Sequence, residues 1–244
     1  MSNKAFRPKR HARDKWAKKG TPTLPSHQEI KVFIKFLLDW YAYSGRQYPW
    51  REETATLYQK VVAEILLQRT RADTVALFLP KFYTQFPSWK ELSISDQEDL
   101  RQFLYPLGLW KQKAKALRDL ANEMVNREGQ CPNDYNEIRG LPGVGQYIAN
   151  AIAVFNLKEP RPLLDVNMAR VLERYFGPRK LADIRDDPYI QNLAYTTILA
   201  SNDYISINFA ILDLAALICK KKPLCYQCPV KTGCKFWRQN EYKL

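Results

Sequence analysis

Four of the five cysteines crowd the C-terminal end of the chain as Cys219-x5-Cys225-x2-Cys228-x5-Cys234. Four thiolates within one short loop suit a tetrahedral metal ion or an iron–sulfur cluster. A single Cys-x2-Cys pair flanked by outlying cysteines is not the two-pair spacing of a zinc ribbon. Such clustering in a chain of 244 residues also argues against disulfide stapling. The fifth cysteine, Cys131, precedes Pro132 and reads as a buried apolar residue. Histidine offers no acid–base chemistry in the core, since His11 and His27 both lie near the N-terminus. Two carboxylates stand out instead. Glu64 sits in Val61-Val62-Ala63-Glu64-Ile65-Leu66-Leu67, where a charge must be partnered, put to use or led out to solvent. Asp165 follows Leu163-Leu164 and precedes Val166-Asn167-Met168-Ala169-Arg170, the place of a helix N-cap, for which Asp is suited on local grounds alone. An ionised carboxylate there could also stabilise a developing cation. In Leu141-Pro142-Gly143-Val144-Gly145-Gln146-Tyr147, two glycines one residue apart permit a tight turn and the close approach of a foreign backbone. A helix starting directly afterwards would aim free N–H groups at an anion, although an ordinary interhelical turn has the same spelling.

The elements that must position these residues read as helices. Ile30, Phe33, Ile34, Leu37, Leu38 and Tyr41 recur at helical spacing, and further helices are expected over 57–67, over 74–83 with Pro80 as a kink or early stop, and from about Lys111 along the stripe Leu117, Leu120 and Met124. Pro160 and Pro162 are expected to stop the helix that follows Gly145. Breakers at Pro49, Pro87, Pro106 with Gly108, and Pro132 separate these stretches, and no alternating run long enough for a sheet occurs. The fold class is all-α. The formal net charge of +13 points to a polyanionic partner, nucleic acid first. Over half of that charge lies in 1–27, where Lys4, Arg7, Lys9, Arg10, Arg13, Lys15, Lys18 and Lys19 face the single Asp14. This segment reads as a disordered tail, either touching phosphates or merely solvated. No apolar run reaches the roughly 18–20 residues that span a bilayer, and no apolar stretch follows the N-terminal charges, so a protein of the cell interior without a membrane partner is expected.

On these residues the chain resembles the helix-hairpin-helix DNA glycosylases, the superfamily of endonuclease III, MutY-type adenine glycosylases and thymine–guanine mismatch glycosylases. The resemblance spans about residues 30–240: the hairpin 141–152, Asp165 about twenty residues after Gly145, the segment Pro49-Trp50-Arg51 and the four-cysteine loop occur in the family's order. It implies two helical subdomains with an active-site cleft between them, a six-helix hairpin domain over 55–157 and a cluster domain combining 28–54 with 158–244. It further implies that Asp165 is the essential aspartate, that Glu64 contacts a flipped base or the attacking water, and that Tyr147 faces the same site. Gly143, Val144, Gly145, Gln68, Arg69 and Asn167 would contact double-stranded DNA. Cys219, Cys225, Cys228 and Cys234 would hold a [4Fe–4S] cluster of structural role, with Lys220, Lys221, Lys222, Lys231 and Lys235 presenting charge to the DNA backbone. The family usually has six residues in the first cysteine gap, so the five found here make a tighter first loop.

The resemblance also separates reaction types. Bifunctional members carry a lysine two residues after the second glycine, where it forms a Schiff base with the sugar; this chain has Tyr147, and Lys158 lies well past that helix. A monofunctional enzyme using water follows. Adenine glycosylases typically read Gln-Gln-Thr-Gln-Val at the minor-groove wedge, whereas Gln68-Arg69-Thr70-Arg71-Ala72 is similar to the thymine–guanine mismatch enzymes. They also usually carry a C-terminal domain that reads 8-oxoguanine, and this sequence ends ten residues after Cys234. The expected function is excision of thymine or uracil opposite guanine, by a monomer in a prokaryotic cytoplasm, associated with the nucleoid. An adenine glycosylase lacking the 8-oxoguanine reader is the enzymatic alternative, and a non-catalytic mismatch-binding protein is the alternative of another class.

Overall fold

A computed structural model of the chain describes residues 23–240, and every regular element among them is helical, in agreement with the all-α expectation. In order these are α1 His27–Ser44, α2 Leu57–Leu67, α3 Ala72–Gln85, α4 Trp89–Ile94, α5 Gln97–Leu104, α6 Trp110–Asn126, α7 Tyr135–Gly140, α8 Gln146–Ile152, α9 Val166–Phe176, α10 Pro188–Leu199, α11 Tyr204–Leu217 and α12 Lys235–Asn240. The basic stretch of the expected tail, 1–22, lies outside the described residues. Ser26, at the tail's expected end, instead caps α1: its hydroxyl accepts from the Glu29 N–H at 3.2 Å while its own N–H donates to Glu29 Oε2 at 2.8 Å.

The helices divide into two compact units, one of Gly45–Leu163 and one of 23–44 with 164–240. In the first, α2 is the central element. A capping box between Thr56 and Gln59 starts it, and Tyr58, Val61, Val62, Ala63, Ile65 and Leu66 are all buried against α3, α6 and α8. A helix apolar all round has to be enclosed in this way. Helices α4 and α5 cover α6, whose buried stripe of Ala114, Leu117, Leu120, Ala121 and Met124 completes the core. In the other unit α11 is the enclosed helix, with Ile207, Phe209, Ala210, Ile211, Leu214 and Ala215 buried; α1, α9 and α10 pack on it, and α12 packs on α9.

Both unit boundaries fall outside 55–157, the span expected for the hairpin domain, and side-chain burial explains each. Tyr48 and Trp50 stack with ring centroids 4.5 Å apart and join the core around α2, and the Tyr48 hydroxyl donates to Asp73 Oδ1 at 2.7 Å. This ties 45–54 to the hairpin unit. At the other end α8 runs on into a π-helical turn, Ala153–Leu157, and the Asn150 side chain donates to the Pro162 carbonyl at 2.8 Å, pinning 158–163 to the same unit. That π turn ends at Lys158, in the left-handed region with φ 57°, before either proline is reached. Pro80 does not stop α3, which continues to Gln85: Val75, Leu79 and Phe82 are buried on its inner face, and that packing outweighs one missing N–H. Among the described residues no helix is long and apolar enough to cross a membrane.

Candidate active site

The hairpin unit holds one group of the expected site residues. Helix α7 leads through Leu141 and Pro142 into the glycine turn and α8. Gly143 has φ 72°, and a Cβ there would lie 2.9 Å from the Cβ of Ala116, so backbone shape and space both demand glycine. Gly145 is different: it caps α8 in an extended conformation, and a Cβ would meet nothing within 4 Å. Val144 turns inward between the two exposed glycines, buried in the core, and its N–H donates to the Leu141 carbonyl at 3.2 Å. The turn therefore offers Gly143 and Gly145 outward while Val144 anchors it.

At the second residue of α8, the Tyr147 hydroxyl donates to Glu64 Oε2 at 3.1 Å. Glu64 is only 2% exposed on α2, so the acid is buried, as its apolar neighbours suggested, and it is partnered. The fold thus joins two residues 83 positions apart into one acid–hydroxyl pair. Gln68 ends α2 and Arg69 follows, both exposed; Arg69 occupies the left-handed region with φ 53°, uncommon for a residue with a side chain. They form a projecting turn between α2 and α3.

The other unit holds Asp165, Asn167 and the cysteines. Asp165 caps α9: Oδ1 accepts from the backbone N–H groups of Asn167 at 2.9 Å and Met168 at 2.8 Å, and Oδ2 accepts from the Asn167 side-chain amide at 2.6 Å. Burial raises the Asp165 pKa from its ordinary 3.8, against the lowering effect of those three hydrogen bonds and of Arg170. The result is a half-buried carboxylate with both oxygens fixed in direction. Exposed Asn167 also accepts from Arg170 Nη1 at 3.1 Å, and Arg170 Nε donates to the Cys219 carbonyl at 2.8 Å.

Cys219, Cys225, Cys228 and Cys234 are half-buried free thiols lining one cavity with Arg174, Phe236 and Trp237, whose empty volume, part of it open to solvent, is about 300 Å³. Two short 3₁₀ turns, Cys225–Gln227 and Lys231–Gly233, bring the later cysteines back to it. Gly233 allows the loop to sit on α9, since a Cβ there would lie 2.0 Å from the Tyr175 hydroxyl. Arg174 Nη1 lies 3.4 Å from Cys219 Sγ. Burial pushes the Cys228 thiol up to about 12 and Cys234 up to about 11, so cations among them are what would draw out thiolates. Among the described residues no three His, Cys, Asp or Glu side chains are grouped to hold a single metal ion. Four thiols lining one cavity are the donor chemistry that iron–sulfur ligation uses. Lys220, Lys221, Lys222 and Lys235 are exposed around it, while Lys231 turns its ammonium to the Tyr226 carbonyl at 3.2 Å. Cys131 is half-buried against the core of the hairpin unit.

Sequence reasoning missed Arg170 and Arg174 as the residues that tie α9 to the cysteine loop. Their spacing from Asn167, three and seven positions along a helix, was the available signal. It also missed Lys113, which heads the stripe Leu117, Leu120, Met124 at helical spacing and is buried.

The chain is similar to known proteins in sequence and fold. The family described as "HhH-GPD superfamily base excision DNA repair protein" matches residues 62–186. The chain is 33% identical to a thymine-DNA glycosylase of Aeropyrum pernix over 216 residues, covering 86% of this chain and 96% of that protein. It is 32% identical to an adenine DNA glycosylase of Buchnera aphidicola, over 86% of this chain but 60% of that protein. Its fold superposes on the solved structure of a thermostable thymine-DNA glycosylase with a TM-score of 0.78 at 27% identity, covering 87% of this chain and 98% of that one.

Proposed function

The chain belongs to the HhH-GPD superfamily of base excision DNA repair proteins, and we propose that it is a monofunctional DNA glycosylase that removes thymine, or uracil, opposite guanine. The observation that carries the monofunctional reading is the Tyr147–Glu64 hydrogen bond, which puts a hydroxyl beside the buried acid at the place where a lyase needs an amine. Base excision requires the target nucleotide to leave the stack, because its glycosidic bond is out of reach within the duplex. As that bond breaks, positive charge grows on the sugar; the Asp165 carboxylate, held by Asn167 and Met168, is the anion assigned to stabilise it. Glu64 is assigned to hold the attacking water or the flipped base. Thymine and uracil leave as delocalised anions and need little protonation, so a fixed anion under the sugar is the larger contribution.

Gly143, Val144 and Gly145 are assigned to the DNA backbone, Val144 by shaping the turn; Gln68 and Arg69 are assigned to the duplex opposite the flipped base, and Asn167 to the strand beside Asp165. The four cysteines are assigned to a [4Fe–4S] cluster, which when bound would cross-link the loop between α11 and α12; the shared cavity supports this. The protein would act as a monomer on double-stranded DNA in a prokaryotic cytoplasm, on the nucleoid. The adenine DNA glycosylase relative keeps removal of adenine as a second reading.

The test is single-turnover excision over a panel of mispairs. Thymine or uracil opposite guanine should be released fastest, and Asp165→Asn should nearly abolish release while mismatch binding persists. Faster release of adenine, opposite guanine or 8-oxoguanine, would replace the substrate. Binding without release of any base would replace the enzyme by a mismatch-binding protein.

A further inference from the structure

Lys113 is buried at 1% exposure near the start of α6, with its ammonium donating to Thr70 Oγ1 at 2.6 Å. A lysine in that setting demands a reason, because removing an ammonium from water is costly unless something is gained. Burial alone draws its pKa down from 10.5 to about 8. The partner is informative. The Thr70 hydroxyl accepts from Lys113 and lies 3.5 Å from the Gln68 carbonyl as donor, so a chain of two hydrogen bonds runs from α6 to the turn that presents Gln68 and Arg69. The same turn is gripped at a second point: Gly108 lies so near that a Cβ on it would come within 3.2 Å of the Arg69 carbonyl oxygen. Arg69 itself stands at φ 53°, a conformation that persists in a residue with a side chain only where its surroundings over-determine it.

We propose that Lys113 and Thr70 are positioning residues that lock the Gln68–Arg69 turn in the shape it presents to mismatched DNA, with Thr70 turned inward to the lysine instead of outward to a base. The inference rests on the assignment of Gln68 and Arg69 to the duplex. It explains why a strained two-residue turn can serve as a rigid probe: a turn free to relax would spend binding energy on ordering itself. It also explains a threonine between two arginines, since the hydroxyl is the acceptor that a buried ammonium requires.

Thr70→Val removes the hydroxyl at nearly constant shape, Lys113→Met removes the ammonium, and Thr70→Ser keeps the acceptor. Two quantities are read on the full-length protein. One is hydrogen exchange of the amides at 68–71. The other is the ratio of affinities for a thymine–guanine duplex and its matched counterpart. Thr70→Val and Lys113→Met should each speed exchange at 68–71 about tenfold or more and lower the affinity ratio about tenfold. The double variant should be no worse than either single one, because both break one chain. Thr70→Ser should restore both readouts. Unchanged exchange in Thr70→Val, effects that add in the double variant, or Thr70→Ser behaving like Thr70→Val would each overturn the proposal. If Lys113→Met does not fold, Thr70→Val and Thr70→Ser decide the matter alone. A wild-type protein that favours no mismatch while exchange responds as described would overturn the DNA assignment of the turn and leave the brace standing.

Discussion

Replacing Tyr147 by phenylalanine removes one oxygen atom and tests the proposed catalytic pairing with Glu64. The hydrogen bond removed runs from the tyrosine hydroxyl to Glu64 Oε2 at 3.1 Å, on an acid only 2% exposed. A hydrogen bond to a charged group contributes roughly 1.5–3 kcal/mol. The length, long for an O–H···O bond, favours the lower end, about 1.5–2 kcal/mol. If that free energy is realised in the transition state, single-turnover excision should slow by about 10- to 30-fold. If the bond contributes equally before and during reaction, the same free energy should appear as reduced stability, about 2–4 °C in Tm per kcal/mol for a chain of this size. Both quantities are measured on one preparation, with thymine opposite guanine as substrate. A rate within twofold of the parent together with the full drop in Tm would refute a part for the pair in the reaction. Tyr147→Lys is the companion variant: it places an amine where the hydroxyl was, and borohydride should trap it on DNA while trapping nothing with the parent protein. Efficient trapping of the parent would refute hydrolysis by water.

The acid limb of the excision profile should lie above that of an ordinary aspartate, because burial raises the Asp165 pKa and the proposed reaction needs its ionised form, which disappears as pH falls through that pKa. Asn167→Ala removes a hydrogen bond that lowers the pKa and should move the limb further up; a limb at the ordinary position in both proteins would contradict this. Deleting 1–22, which removes eight basic residues and leaves the Ser26 cap of α1 intact, should flatten the salt dependence of nonspecific binding by up to ~0.9 log unit for each phosphate no longer neutralised, and an unaltered slope would make the tail a bystander. Protein purified without oxygen should be brown and hold about four irons per chain, and Cys228→Ser should lower soluble yield; stoichiometric zinc without iron would exclude the cluster.

The parts of the site legible in the sequence are those whose residue types carry their own local physics. Asp165 was legible because an N-cap is a local arrangement, and the structure finds it accepting the two N–H groups that a cap accepts. Gly143 was legible because few residues other than glycine tolerate its φ of 72°. Glu64 was legible as an acid among apolar neighbours, whereas its hydrogen-bond partner was not: nothing in the spacing of 83 residues links a tyrosine to it. Domain limits were less legible for the same reason. Pro49-Trp50-Arg51 has no helical period, so only the burial of Tyr48 and Trp50 against α2 assigns it to the hairpin unit.

The residues that escaped notice share one property, which is that they are long basic side chains in a chain of strongly positive charge. With a net charge of +13, each lysine or arginine looks like one more contribution to a field directed at DNA. Lys113, Arg170 and Arg174 instead spend their donors inside the protein, on Thr70, on the carbonyls of Ala215 and Cys219, and on those of Lys220 and Lys221. All three are distinguished by their place on a helix. Lys113 continues an apolar stripe four residues before Leu117, and Arg170 and Arg174 repeat at i and i+4 on α9. A basic residue in phase with a buried stripe, or repeated on one helix face beside a loop rich in outward carbonyls, is therefore a candidate brace, and only those out of phase remain candidates for binding phosphate. By that criterion Arg69, exposed on the turn between α2 and α3, remains a candidate for contact with DNA, and Lys113 is a candidate brace.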